Sequence, residues 1–259
     1  MDAIDSTGPS VAAERNMIAA VQAWAAGAHD RAGETADGLA LIRGGVGVRT
    51  FNQAIIFGPQ RDLKGTAGRI RRFFAPVGEH YRVRIRTDVA PLDDASFEAA
   101  GFERRGGIPC LAMPLPGLPA RASQLEVRPV TDARGLHEHL ALVAEVYEWE
   151  PADLAHVLTP RTIEQAALCM YTGYLDGAPV AMAQLFAQGA VGGIYLVGTT
   201  ASARNRGFGE AITRHALEEA ATLGCTLASL QASPMGLPVY ERIGFEQVAD
   251  YRTYVPVSG

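Results

Sequence analysis

The spacing of apolar residues and glycines over 194–245 leaves few folds open. Residues 194–200, Ile-Tyr-Leu-Val-Gly-Thr-Thr, are β-prone and apolar, and Arg204-Asn-Arg-Gly207-Phe-Gly209 interrupts them before a helical pattern over 210–223. A second apolar run over 226–232 leads to Pro238-Val-Tyr240-Glu-Arg-Ile-Gly244-Phe245, a short helix stopped by glycine. A strand that turns on glycines into a helix leaves the first N–H groups of that helix without internal partners. Those donors and the positive end of the helix dipole together favour an anion. Gly207 and Gly209 remove the Cβ atoms that would hold such an anion away. The segment reads as a pyrophosphate site, although a tight turn without a ligand uses the same residues. A dinucleotide fingerprint would need a further glycine at position 212, which is Ile212.

The 259 residues are 48% hydrophobic and 20% charged, which predicts a packed core and allows one large unit or two ordinary ones. The net charge of -5 argues against binding nucleic acid through phosphate neutralisation. Residues 1–120 carry 14 Lys+Arg against 13 Asp+Glu, and residues 121–259 carry 9 against 15. A charged substrate meeting the acidic second half would more readily be a cation. Cys110, Cys169 and Cys225 are too scattered for a zinc site or a disulfide framework, so a reducing cytoplasm is expected. The opening Met-Asp-Ala-Ile-Asp-Ser lacks signal-peptide character, and no apolar run nears the ~20 residues that span a bilayer. The expectation is a protein with no membrane, nucleic-acid or metal partner.

Earlier in the chain, helical spacing covers residues 12–28, and strands over 38–43 and 49–57 flank Gly44-Gly-Val-Gly47, a hairpin connection that lacks the Gly-Lys-Ser/Thr of a phosphate loop. A helix is predicted over 62–74. In His80-Tyr-Arg-Val-Arg-Ile-Arg86, Tyr81, Val83 and Ile85 face one way and Arg82, Arg84 and Arg86 the other, which predicts a strand with one solvated face; such a basic comb is also a candidate for contacting phosphates. A short helix over 91–100 and a strand over 107–115 precede the linker candidate at Pro114, Pro116, Gly117 and Pro119. Beyond it come a strand at 125–129, a helix capped by Thr131 or Asp132, and strands over 169–175 and 178–187. Both halves close with a short helix, Gly-Phe-Glu and a strand, at Gly101-Phe102-Glu103 and Gly244-Phe245-Glu246. Internal duplication accounts for this, with modules at 1–119 and 120–259. Only the second carries the glycine loop.

The strand, the Arg204–Gly209 loop, its helix, the second strand and the tyrosine before Gly244-Phe245 resemble the GNAT family of N-acetyltransferases over most of residues 125–255. The resemblance implies an α/β fold with a mixed sheet, two GNAT-like modules in tandem, and acetyl-CoA as the acyl-donor substrate. It implies that the backbone of Val197, Gly198 and Thr199 pairs with the pantetheine arm. The N–H groups of Asn205, Arg206, Gly207, Phe208, Gly209 and Glu210 would take the pyrophosphate, with Arg204 and Arg206 adding charge. Ser233 stands where many members have a cofactor-contacting asparagine. Tyr240 is the implied general acid, supplying a proton or hydrogen bond to the leaving thiolate; a tyrosine that only packs beside the cofactor helix is the alternative.

The glutamate base that many members place on the strand after the cofactor helix corresponds to Ala228. Deprotonating an alkylammonium of pKa ~10.4 at pH 7 costs ~4.6 kcal/mol, so this gap matters. Glu148, Glu150 and Asp153 are the nearest acidic cluster, with Trp149 beside them; they are candidates for binding the acceptor, and equally for a solvated surface. His137, His139, His156 and His215 lack metal-ligand spacing. Two functions follow: acetyl transfer to an amine of a small molecule or peptide, or an acyl-CoA-binding regulatory or structural module with little catalysis.

Overall fold

The computed structural model describes residues 8–88, 94–115, 117 and 121–257. Helix α1 (Gly8–Ala26) leads into an antiparallel ladder of β1 (Ala32–Ala36), β2 (Leu39–Arg43) and β3 (Asn52–Ile56). Helix α2 (Leu63–Phe74) crosses to β4 (Arg82–Arg86), which lies parallel to β3, and α3 (Asp94–Ala99) leads to β5 (Phe102–Pro114). Strand β6 (Glu126–Pro129) and helices α4 (Ala133–Tyr147), α5 (Pro151–Val157) and α6 (Pro160–Ile163) follow. The pattern then recurs. Strands β7 (Leu168–Leu175), β8 (Ala178–Gln188) and β9 (Val191–Thr199) form an antiparallel ladder, and α7 (Phe208–Thr222) crosses to β10 (Leu227–Gln231), parallel to β9. Helix α8 (Leu237–Ile243) and β11 (Glu246–Pro256) close the chain. Pro116 and Pro119 of the linker candidate and Pro91 of the short helix lie outside the described residues.

Among the described residues, eleven strands join one mixed sheet in the order β1-β2-β3-β4-β11-β5-β10-β9-β8-β7-β6. The two long closing strands are exchanged. Strand β5, from the first half, pairs with β10 of the second, whereas β11 pairs with β4 of the first. Hydrogen bonding between β5 and β11 runs from Phe102 to Ala112 and seals the seam. The halves therefore share a sheet rather than closing two separate ones.

Helix α1 belongs to the seam. Asn16 Nδ2 donates to the carbonyls of Phe186 and Val191, each at 3.1 Å, and Tyr195 Oη donates to Asn16 Oδ1 at 2.7 Å. Trp24 Nε1 donates to Gln184 Oε1 at 2.9 Å. Gln184 Nε2 lies 3.2 Å from His139 Nε2, and His139 Nδ1 lies 3.2 Å from Thr172 Oγ1. Burial pushes the His139 imidazole down to about 4, so the ring is neutral at pH 7 and accepts from Gln184 while donating to Thr172. Every link in this buried chain needs its neighbour. Trp24→Phe is expected to destabilise the protein by about 2–4 kcal/mol, through an orphaned Gln184 acceptor and a small cavity, as read from urea unfolding.

The arginine-bearing face of β4 is not solvated, contrary to the alternation-based expectation. Arg84 and Arg86 are each 6% exposed and Arg82 is half-buried. Alternation separates two faces but does not show which will be covered. Helix α1 covers this one: Glu14 pairs with Arg86 at 2.9 Å, and the Met17 sulfur lies 3.3 Å from an Arg84 nitrogen. Burial pushes the Glu14 carboxyl up to about 7 despite the attraction of Arg86. Tyr81, Val83 and Ile85 pack in the core on the opposite face.

Candidate active site

Strands β9 and β10 pair only where Val191, Gly192 and Gly193 meet Leu227, Ala228 and Ser229. Beyond that point β9 stays on β8 as far as Thr199, while β10 turns its other edge to β5. Leu196 sits at φ 44°, where the β8–β9 register shifts. A left-handed leucine inside a strand is a bulge, and it bends the strand away from its partner. The gap opens into a cleft of about 700 Å³ lined by Val197, Gly198 and Thr199. Tyr147 Oη donates to the Val197 carbonyl at 3.1 Å, leaving that oxygen a second lone pair.

At the end of β9 a short turn through Arg204 and Asn205 (φ 61°) reaches Gly207 at φ 80°, which caps α7 with no side-chain hydrogen bond. A Cβ on Gly207 would meet nothing within 4 Å, and one on Gly209 would reach only the Thr199 methyl at 4.0 Å. Ala211 N–H bonds back to Gly207 O, so the N–H groups of 208–210 are the first-turn donors beneath this open space. The Glu210 carboxylate turns aside, to Arg121 at 2.5 Å and Arg214 at 3.0 Å. Burial pushes that carboxyl up, but the two arginines outweigh it and hold it below the usual range. The equivalent helix start of the first half is occupied by its own side chain: Asp62 Oδ1 accepts from Gly65 N at 2.9 Å.

Tyr240 reaches the same cleft from α8. Its ring meets Phe245 edge-on at 6.0 Å, and a Cβ on Gly236 would come within 2.8 Å of it, so glycine there makes room for the phenol. Burial pushes the Tyr240 hydroxyl up to about 12, leaving it protonated across the physiological range. Ser233 lines the cleft, and its Oγ accepts from Gly236 N at 3.1 Å at the turn into α8. Ala228 is fully buried in the apolar core under α7, away from the cleft, and Gln231 is the residue of β10 that lines it.

The model of the acetyltransferase (GNAT) family matches residues 135–245. That stretch is a GNAT domain. No curated protein matches the chain. Among solved structures, a GCN5-related N-acetyltransferase from Kribbella flavida is similar with a TM-score of 0.72 and 23% identity, covering 95% of this chain and 96% of that one. A putative GNAT-family acetyltransferase from Novosphingobium aromaticivorans gives 0.57 and 14%, covering 88% and 91%. A GCN5-related N-acetyltransferase from Sphaerobacter thermophilus gives 0.55 and 15%, covering 86% and 81%. At these identities the likeness is one of fold, and it extends over both halves.

The cleft of the GNAT domain gathers Tyr240, Val197, Gly198, Thr199, Arg204, Asn205, Gly207, Phe208, Gly209, Glu210 and Ser233. Arg206 lies outside it, its guanidinium 4.9 Å from the centre of the Phe208 ring. Of the acidic cluster, Glu148 and Glu150 are exposed and Asp153 is half-buried, and none of the three lines the cleft. Trp149 does, stacked on Tyr147 at 4.7 Å and edge-on to Phe51 at 5.7 Å. The first half also supplies wall residues, among them Trp24 and Gln53, which no local motif marks, and Arg82 and Arg84 of β4. Among the described residues no group of three His, Cys, Asp or Glu is placed to hold a metal, and no helix is long and apolar enough to cross a membrane.

Proposed function

We propose that the chain transfers an acetyl group from acetyl-CoA to an amine. The observation that carries this reading is the uncapped, side-chain-free start of α7 beside the splayed edge of β9. An open N–H cradle suits a pyrophosphate, and unpaired strand backbone suits an amide-bearing arm. The residues present fit that substrate: 208–210 would hold the pyrophosphate and Val197–Thr199 the arm, placing the thioester end of the cleft toward Tyr240. The neutral amine nitrogen attacks the thioester carbonyl, the C–N bond forms, the C–S bond breaks as the sulfur leaves with the bonding pair, and the proton released from nitrogen passes to water. Tyr240 Oη–H donates a hydrogen bond to that sulfur. In this reading the first half is a duplicated module whose helix start Asp62 has closed.

Glu210 is the one carboxylate among the lining residues, and two arginines hold it. The amine therefore reacts as its neutral fraction. At saturating acetyl-CoA, kcat/KM is expected to rise about tenfold per pH unit below the pKa of the amine; a flat profile from pH 6 to 8 with a basic amine would require an unrecognised base. The absence of a base from the lining residues is the one feature on which a second reading, an acyl-CoA-binding module, rests. Two measurements separate them: the melting shift with acetyl-CoA, and thiol release with a panel of amines. A shift without turnover on any amine selects the binding module. No shift removes both.

A further inference from the structure

On β4, three arginines share the face that α1 covers, and they are not treated alike. Arg86 is paired with Glu14 at 2.9 Å and Asp88 at 2.7 Å. Arg82 and Arg84 line the cleft instead. Their Nε atoms are buried without a hydrogen-bond partner among the described residues, and neither guanidinium has a carboxylate in ion-pair range there. The described contact of the Arg84 head is the Met17 sulfur at 3.3 Å, a weak acceptor. Beside them Gln53, 1% exposed and also lining the cleft, leaves Oε1 unpartnered while its Nε2 donates to Thr50 O at 2.7 Å.

Burying the Arg84 guanidinium without a charge partner is costly, and the half-buried Arg82 on the same strand face adds their mutual repulsion. Burial first, and then the neighbouring Arg84 and Arg49, lower the basicity of Arg82. Arg84 is lowered by burial as well. Helix α1 supplies a carboxylate to Arg86 only. The charge that would balance the other two is missing from the described chain, and the space in front of them is the cleft. The α7 cradle, which the reading above gives to pyrophosphate, is built from a different half of the protein.

We infer that Arg82 and Arg84 bind an anionic group, a carboxylate or phosphate, carried by the acceptor, so that the acceptor is an amine with an acidic end. This rests on the acetyl-transfer reading for the word acceptor, but the subsite itself does not. Two planar guanidinium forks match either anion, and Gln53 Oε1 offers one acceptor for an N–H or O–H beside it. Trp24 and Trp149, which also line the cleft, suit an apolar body for the same ligand. The acidic net charge of the second half pointed towards a cationic acceptor; the two requirements combine in a zwitterion.

The test is binding of matched probes to protein saturated with CoA, which keeps anions off the α7 cradle. The probes are 3-phenylpropionate, phenyl phosphate and uncharged 3-phenylpropionamide, measured by calorimetry on wild type, Arg84→Gln and Arg82→Met. Wild type is expected to prefer an anion over the amide by about 10- to 100-fold, the worth of a charge-assisted hydrogen bond, and each variant to lose at least tenfold of that preference. The better of the two anions identifies the headgroup. CoA affinity equal to wild type shows that a variant is folded; should Arg84→Gln fail this, Arg82→Met and the wild-type comparison still decide. Equal binding of amide and anions by wild type, or an anion preference that survives in a folded variant, overturns the subsite. Failure of CoA to bind would instead count against the transfer reading; the loss of anion binding in the variants relative to wild type, with folding checked by the melting temperature, would still report on Arg82 and Arg84 because neither belongs to the α7 cradle.

Discussion

Tyr240→Phe is expected to lower kcat by about 10²–10³-fold while leaving acetyl-CoA affinity within about threefold, the range seen when one preorganised donor is removed from a developing charge. Two pKa values decide which role the phenol plays. A thiol of this kind ionises near ~8.5, whereas burial pushes the Tyr240 phenol up to about 12. Handing the proton over completely would be uphill by ~5 kcal/mol at ~1.36 kcal/mol per unit. Donating a hydrogen bond that strengthens as charge gathers on sulfur carries no such penalty. The phenol is thus better suited to stabilising the leaving thiolate than to protonating it, and solvent can protonate the product later. The sign of the shift gives a second check. A raised phenol stays protonated up to about pH 12, so wild type should show no alkaline loss of kcat from Tyr240 between pH 7 and 10. A Phe variant with wild-type turnover would leave Tyr240 a packing residue against Phe245.

The second half was more legible than the first because local rules decide most of it. Glycines at 207 and 209 before a helical period, and a tyrosine ahead of Gly244-Phe245, are short-range signals, and the structure gathers their residues around one cleft. The Leu196 bulge left no such mark, since nothing about leucine announces a positive φ; the strand register imposes it. The exchange of β5 and β11 was equally hidden. Each is a long strand with a suitable edge, and which strand it joins depends on the tertiary arrangement rather than on its own residues. Arg82 and Arg84 were noticed as a comb, but whether water or a helix covers that face depends on α1, whose own pattern reports only that it is buried somewhere. Glu148 and Glu150 are exposed and outside the lining of the cleft, since local acidity carries no information about direction.

Asp62 and Gly207 begin corresponding helices of the two halves in opposite ways. In α2, Asp62 accepts from Gly65 N and satisfies the end of the helix from within the chain. In α7, Gly207 leaves the same kind of end open. Gly207→Asp should convert the second arrangement into something like the first. The φ of 80° is tolerable for aspartate at a cost of about 1–2 kcal/mol, and the absence of any atom within 4 Å of the new Cβ means the fold need not shift. The carboxylate would then compete for the N–H donors and repel the incoming pyrophosphate. Two unit charges about 5 Å apart at an effective dielectric near 20 oppose each other by ~3 kcal/mol, so acetyl-CoA affinity should fall by at least about 100-fold. Gly207→Asn carries similar backbone strain without the charge and should lose far less. The gap between the two variants should narrow in 1 M salt, where the screening length drops to ~3 Å. Calorimetric titration of both variants with acetyl-CoA measures that gap directly. Wild-type affinity in Gly207→Asp would mean that the pyrophosphate does not rest on α7 at all.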